Sequence, residues 1–294
     1  HATSPTFVQK LKFFYIHNMS FSIRFENISF AYPKKKSLAL NNVSFDVPKG
    51  AFFALLGANG AGKTTLLRLL SKRLIPSEGN ISYSSVLLEN GELSRQSLGI
   101  LLENPGAYEQ LSVQEYLELF ATLYGNIGFA KEGLHLLEKL QFSESYKIRV
   151  GKLSLGNKQK LQIARAMQHS PQCLLLDEPA ANLDPISREL LWNLLSQWRE
   201  NGKRTLIVCS HILPELEKFT TDFVILEKGR VSEQGQIKKE ETHLRTLLEI
   251  DVKNLALAKT VLESAGISAS EYSLEKTGVL NEAYRKVYGK KNTP

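Results

Sequence analysis

Nine consecutive residues hold the densest chemistry in the chain: Gly57, Ala58, Asn59, Gly60, Ala61, Gly62, Lys63, Thr64 and Thr65. Three glycines ahead of a lysine and a hydroxyl follow the G-x-x-x-x-G-K-T spacing. Glycines let a backbone wrap so that successive N–H groups converge on one anion. The ligand such a loop suits is a run of phosphates, with Lys63 directed at the β- and γ-phosphates and Thr65 adding a contact. The Thr64 hydroxyl suits Mg2+, a hard cation that takes oxygen ligands.

A second cluster is "CLLLDEP", an apolar run ending in Asp177 and Glu178. Two charges at the end of a buried strand need a cation or a task. Alternation along the strand sends the two side chains in different directions. Asp177 is then placed to serve Mg2+ while Glu178 polarises an attacking water. A third is "LSLGNKQ", which introduces the amphipathic run through Met167. Ser154 alone would cap that helix. Gly156 costs helix stability, so its presence signals a second demand there.

These groups need elements to hold them. "FSIRFENISFAY" and "LNNVSFDV" alternate as half-buried strands do, and "AFFALLG" is the continuous apolar run of a fully buried one. It leads through the glycine loop into the helical "KTTLLRLLSKRL". Strand, glycine turn and helix in that order form a phosphate-binding unit whose helix N-terminus adds partial positive charge. "VQEYLELFATLYG" and "EGLHLLEKLQF" have helical spacing; the apolar face of "AYEQLSVQEYLELFATLY" suits either a contact surface or internal core. Beyond "CLLLDEP" come the helical "PISRELLWNLLSQWRENG", the strand "RTLIVCSH", a short helix in "PELEKF" and the strand-like "TDFVILEKGRV". Strands alternating with helices predict a parallel sheet covered on both faces. At Gln236 the character changes to the charged "KKEETHLR", and residues 236–294 read as a small α/β appendage of unassigned role.

Composition narrows the classes. No apolar run approaches the ~18 residues of a membrane span. The formal charge is +7, but the first 36 residues carry a net +5 and the last 14 a net +3, leaving the body about neutral. A nucleic-acid footprint is a basic face on the folded body, so no nucleic-acid partner is expected. Cys173 and Cys209 both lie in apolar strands and read as buried thiols of a reducing compartment. Residues 1–18 read as an added or unstructured leader, with Met19 as the natural first residue.

The chain between about Phe21 and Gln234 resembles the ATP-binding cassette (ABC) ATPases. "LSLGNKQ" is similar to their signature motif, and "DEPAANLD" to their extended Walker B and D-loop. The resemblance implies a P-loop NTPase core with a mixed sheet, an antiparallel β subdomain, and a helical subdomain over about 104–153, within a cassette of residues 19–235. It implies head-to-tail pairing, in which Ser154 and the N–H of Gly156 meet the γ-phosphate of the other subunit's ATP. Tyr32 matches the adenine-stacking aromatic, a role in which the ring does the work and Tyr32→Phe is nearly silent. His211 matches the γ-phosphate switch histidine, and Asp184 the D-loop aspartate that couples the two sites. Glu103 stands where the family usually has glutamine; it can still reach Mg2+ or water but brings negative charge near the phosphates. Leu155 and "NKQK" also depart from the commoner signature. Both departures, and the closing "LNEAYRKVYG", resemble ATPases of ABC-2-type exporters.

The expected function is therefore binding and hydrolysis of Mg-ATP that powers transport, with export as the direction. The expected partners are membrane-spanning subunits and a second copy or paralogous cassette, at the cytoplasmic face of a membrane. A soluble ABC protein working on ribosomes or DNA is the first alternative, but those resemble paired cassettes or carry long coiled-coil insertions, absent here. The second is a nucleotide-gated module that hydrolyses little; Glu178 and His211 oppose it, and Glu103 leaves it open.

Overall fold

The computed structural model describes residues 21–33, 37–102, 108–210 and 213–237. Residues 1–18, expected to be a leader, and nearly all of residues 236–294, expected to be an appendage, lie outside these residues.

Three strands form an antiparallel sheet in the order β2-β1-β4: β1 (Phe21–Phe30), β2 (Leu40–Pro48) and β4 (Glu78–Tyr83). Six form the central sheet in the order β11-β10-β3-β9-β8-β7: β3 (Phe52–Gly57), β7 (Leu98–Leu101), β8 (Cys173–Asp177), β9 (Thr205–Cys209), β10 (Asp222–Glu227) and β11 (Arg230–Gln236). Its neighbours are parallel except the β10–β11 hairpin, which makes the sheet mixed. Two short strands, β5 (Leu88–Glu89) and β6 (Glu92–Leu93), pair between the two sheets in sequence. The helices are α1 (Lys63–Leu70), α2 (Val113–Leu123), α3 (Phe129–Lys139), α4 (Leu155–Met167), α5 (Pro185–Trp198) and α6 (Leu213–Glu217).

The period of two along each central strand divides the interior into two cores. Ala54, Leu56, Leu174, Leu176, Leu206 and Val208 face one way and pack with α2 to α6. Phe53, Leu55, Leu175, Ile207, Val224 and Leu226 face the other way, onto the antiparallel sheet and α1. Strands β3, β8 and β9 are buried along their whole length, as strands covered on both faces must be. Burying one such aliphatic side chain contributes ~1.5–3 kcal/mol.

Helix α2 begins with a capping box: Ser112 Oγ accepts from the Glu115 N–H, and the Glu115 carboxylate accepts from the Ser112 N–H. Its apolar stripe resolves as internal core, with Val113, Tyr116, Leu117 and Ala121 buried; Tyr108 and Leu123 at its ends point outward. Both cysteines are buried free thiols, and burial pushes Cys173 up to about 12.

Candidate nucleotide site

Strand β3 enters the glycine loop at Gly57, and α1 leaves it at Lys63. Gly62, the N-cap, has φ 110°. A Cβ there would lie 2.7 Å from Leu40 Cδ2 and 2.9 Å from the Ala39 carbonyl, so both backbone and space demand glycine. The loop is braced by the β10–β11 turn, where the Gly229 N–H donates to Ala61 O at 3.1 Å and Gly229 O accepts from the Asn41 N–H at 2.8 Å. Lys63 is 8% exposed, and its ammonium donates to Gly57 O at 2.8 Å and Ala58 O at 3.3 Å. A buried charge needs such partners, and these carbonyls hold the ammonium against the loop. Asn59 and Gly60 form the exposed tip.

Parity explains what meets this loop. Cys173 and Leu175 pack in the core on the α1 side of the sheet, and Asp177 continues that alternation. Asp177 is 5% exposed and accepts from Thr64 Oγ1 at 2.8 Å. Two hard oxygen donors thus meet at the start of α1, and that donor set fits Mg2+. In register with Asp177 on β9 is Cys209. Burial is the first cause holding its thiol well above the usual range; the Asp177 charge adds to this while Lys63 opposes it.

The strand ends after Asp177. Glu178 is half-buried with φ 47°, left-handed backbone that a non-glycine residue rarely adopts. Its N–H donates to Cys209 O at 2.9 Å. The two acids therefore diverge because the second has left the strand, beyond what alternation alone requires.

Tyr32 follows β1 and sits over α1. Its ring stands edge-on to Phe30 with centroids 5.0 Å apart. Its hydroxyl accepts from Arg68 Nη1 at 3.1 Å and lies 3.2 Å from Thr65 Oγ1. The hydroxyl thus has partners on the helix of the phosphate loop.

Ser154 is exposed and caps α4, its Oγ accepting from the Asn157 N–H at 3.2 Å. A Cβ on Gly156 would lie 2.9 Å from the Asn182 carbonyl of the same chain. Close approach to this internal carbonyl leaves no room for a side chain. Asp184 caps α5 ahead of Pro185, accepting from the Ser187 N–H at 2.9 Å and its hydroxyl at 2.7 Å. Those hydrogen bonds hold its carboxyl below the usual range.

Lys63, Thr64, Asp177 and Glu178 are thus gathered at the C-terminal ends of β3 and β8, where open α/β sheets bind ligands. Glu103 and His211 lie outside the described residues. Sequence reasoning missed three participants: Arg68, the Cys209 carbonyl, and Gln159, which donates to the carbonyls of Glu178 and Pro179. Gln159 had a signal: it lies three residues beyond Gly156 on α4, so the two share a face.

The family profile described as ABC transporter matches residues 40–181. The bacitracin transport ATP-binding protein BcrA of Enterococcus faecalis is 32% identical, over 84% of this chain and 80% of that protein. The lantibiotic transport ATP-binding protein SrtF of Streptococcus pyogenes is 33% identical, over 71% of this chain and 88% of that one. Among solved structures, an ATP-binding subunit of an ABC transporter superposes with a TM-score of 0.68 at 25% identity, covering 90% of this chain and 98% of that one. The chain belongs to the ABC transporter ATP-binding protein family. Its fold is that of the ABC ATPase cassettes.

Proposed function

We propose that this chain is the subunit that powers an exporter, binding and hydrolysing Mg-ATP in a head-to-tail pair with a second copy or a paralogous cassette. The observation that carries the reading is the pairing of Thr64 with Asp177 beside Lys63, with Glu178 turned off the same strand. The related bacitracin and lantibiotic ATP-binding proteins, named for transport, supply the class of work. Among the described residues no helix is long and apolar enough to cross a membrane, so the path for cargo is assigned to membrane-spanning partners. The chain then sits at the cytoplasmic face through them.

In this reading the backbone N–H groups of residues 58–65 and the α1 N-terminus bind the phosphates, and Lys63 leaves its loop carbonyls for the β- and γ-phosphates. Tyr32 stacks on the adenine. Thr64 and Asp177 would hold Mg2+, with Glu103 proposed as a further oxygen donor; the ion would supply positive charge to offset that of the phosphates. Glu178 accepts the proton of the attacking water, and His211 contacts the γ-phosphate. Ser154 and the N–H of Gly156 complete the partner's site, and Asp184 links the two.

The test is complementation between chains. On a Glu178→Gln background, which should bind ATP and dimerise with turnover nearly abolished, Lys63→Ala and Ser154→Arg are mixed. If the two residues serve one ATP from opposite subunits, each homodimer has two broken sites, while the mixed dimer has one intact. Mixed dimers, isolated through two different tags, should trap about one ATP each, and homodimers almost none. Mixed dimers that form but trap no ATP rule out the trans arrangement.

A further inference from the structure

The backbone of Glu178 is held in an unfavourable conformation, and the residue that holds it comes from the signature helix. At φ 47° a glutamate persists only where its surroundings over-determine it. On one side its N–H is bound by Cys209 O at 2.9 Å. On the other its carbonyl accepts from the Ala181 N–H at 3.1 Å and from Gln159 Nε2 at 3.2 Å. The same Gln159 nitrogen donates to Pro179 O at 2.9 Å, so its two N–H groups serve two successive carbonyls. Pro179 has no N–H of its own, so it cannot donate to hold this turn. Gln159 is half-buried and three residues from Gly156, which itself abuts the Asn182 carbonyl. The first turns of α4 therefore touch residues 178–182 at two points, one polar and one steric.

We infer that Gln159 is a positioning residue, its amide pinning the peptide of Glu178 to the signature helix and so aiming the Glu178 carboxylate. The inference rests on the reading of Glu178 as the base. It has a consequence for coupling: a shift of α4, whose N-terminus carries Ser154, pulls directly on the Glu178 turn.

The experiment uses the full chain in five forms: wild type, Gln159→Met, Gln159→Lys, Glu178→Gln, and Gln159→Met placed on Glu178→Gln. Methionine keeps length without donors; lysine restores a donor nitrogen. The expected result for Gln159→Met is kcat lower by about tenfold with KM for ATP within about twofold, since the lost bonds aim the base without touching the nucleotide. Gln159→Lys should recover most of that loss. On the Glu178→Gln background, single-turnover hydrolysis should be the same with or without Gln159→Met, because the group being aimed is already gone. Wild-type kcat in Gln159→Met overturns the inference. So does a loss that lysine does not restore and that adds to Glu178→Gln, which marks a merely structural role. Should Gln159→Met fail to fold, Gln159→Glu, similar in shape but presenting oxygens to the two carbonyls, makes the same reading. Failure of the base assignment looks different: Glu178→Gln itself would then turn over ATP normally.

Discussion

Replacing Tyr32 by phenylalanine separates the ring, proposed above to stack on adenine, from the hydroxyl, whose partners are on α1. Phenylalanine keeps the edge-on contact with Phe30 and removes the bonds to Arg68 and Thr65, at 3.1 and 3.2 Å. The bond with Thr65, between neutral groups, contributes ~0.5–1.5 kcal/mol net and the one from the charged Arg68 guanidinium ~1.5–3 kcal/mol; partial exposure keeps both at the low end, so their combined loss is about 2 kcal/mol. If it falls on the nucleotide-binding conformation, ATP affinity drops about 30-fold. Alanine loses the ring as well, and base–aromatic stacking in nucleic-acid sites is worth ~1–3 kcal/mol, so Tyr32→Ala should lose a further ~5–150-fold. The assay is equilibrium binding of a fluorescent ATP analogue to the Glu178→Gln protein, which keeps hydrolysis from confusing the result. A silent Tyr32→Phe would show that the hydroxyl bonds carry nothing; equal damage from Phe and Ala would refute stacking. A graded series, with Arg68→Met matching Tyr32→Phe, supports both roles.

Two further outcomes concern stability. His169 is 6% exposed, bonded through Nε2 to Leu98 O at 3.1 Å and stacked on Tyr124 at 3.7 Å between centroids; desolvation holds its pKa at about 4, against 6.5 for the unperturbed group. The unfolded chain thus takes up a proton near pH 6.5 that the folded chain refuses until about pH 4; full stability is present above 6.5 and falls between them by up to about 3 kcal/mol. Urea unfolding at several pH values should show that slope, reduced in His169→Asn; equal slopes would sink the assignment. Gly156→Ala should destabilise the nucleotide-free protein by about 1 kcal/mol, because overpacking costs ~1–3 kcal/mol and alanine returns up to ~1 through helix propensity. A variant as stable as wild type would show that the Asn182 carbonyl yields without cost.

The parts legible in the sequence are those whose chemistry is local. The glycine loop, the acid pair and the cap at Ser154 each lie within nine residues, and each occupies its expected element. Strand β4 is not legible as a strand because "EGNISY" has no alternation of its own; it exists through pairing with the distant β1. The helix expected over "KTTLLRLLSKRL" stops at Leu70, and Lys72 turns left-handed at φ 56°. The Tyr32 hydroxyl escapes a local reading for the same reason, its partners lying 33 and 36 residues away on α1.

Gly156 shows where local reading reaches its limit. Its poor helix propensity correctly announces a close approach, but propensity has no direction and cannot say which group approaches. The Asn182 carbonyl is one answer, and it acts within a single chain. The partner's phosphate, if the head-to-tail pairing holds, is a second and acts only in the dimer. The two demands separate by where their loss appears. Damage to the internal contact lowers the stability of the isolated subunit before any nucleotide binds. Damage to the intersubunit contact leaves that stability intact and removes ATP-dependent pairing. A side chain at Gly156 therefore tests both at once, whereas Ser154→Arg, at an exposed position one residue before α4, loads the defect chiefly onto the dimer. For that reason Ser154, and not Gly156, is the residue on which the trans arrangement should be decided.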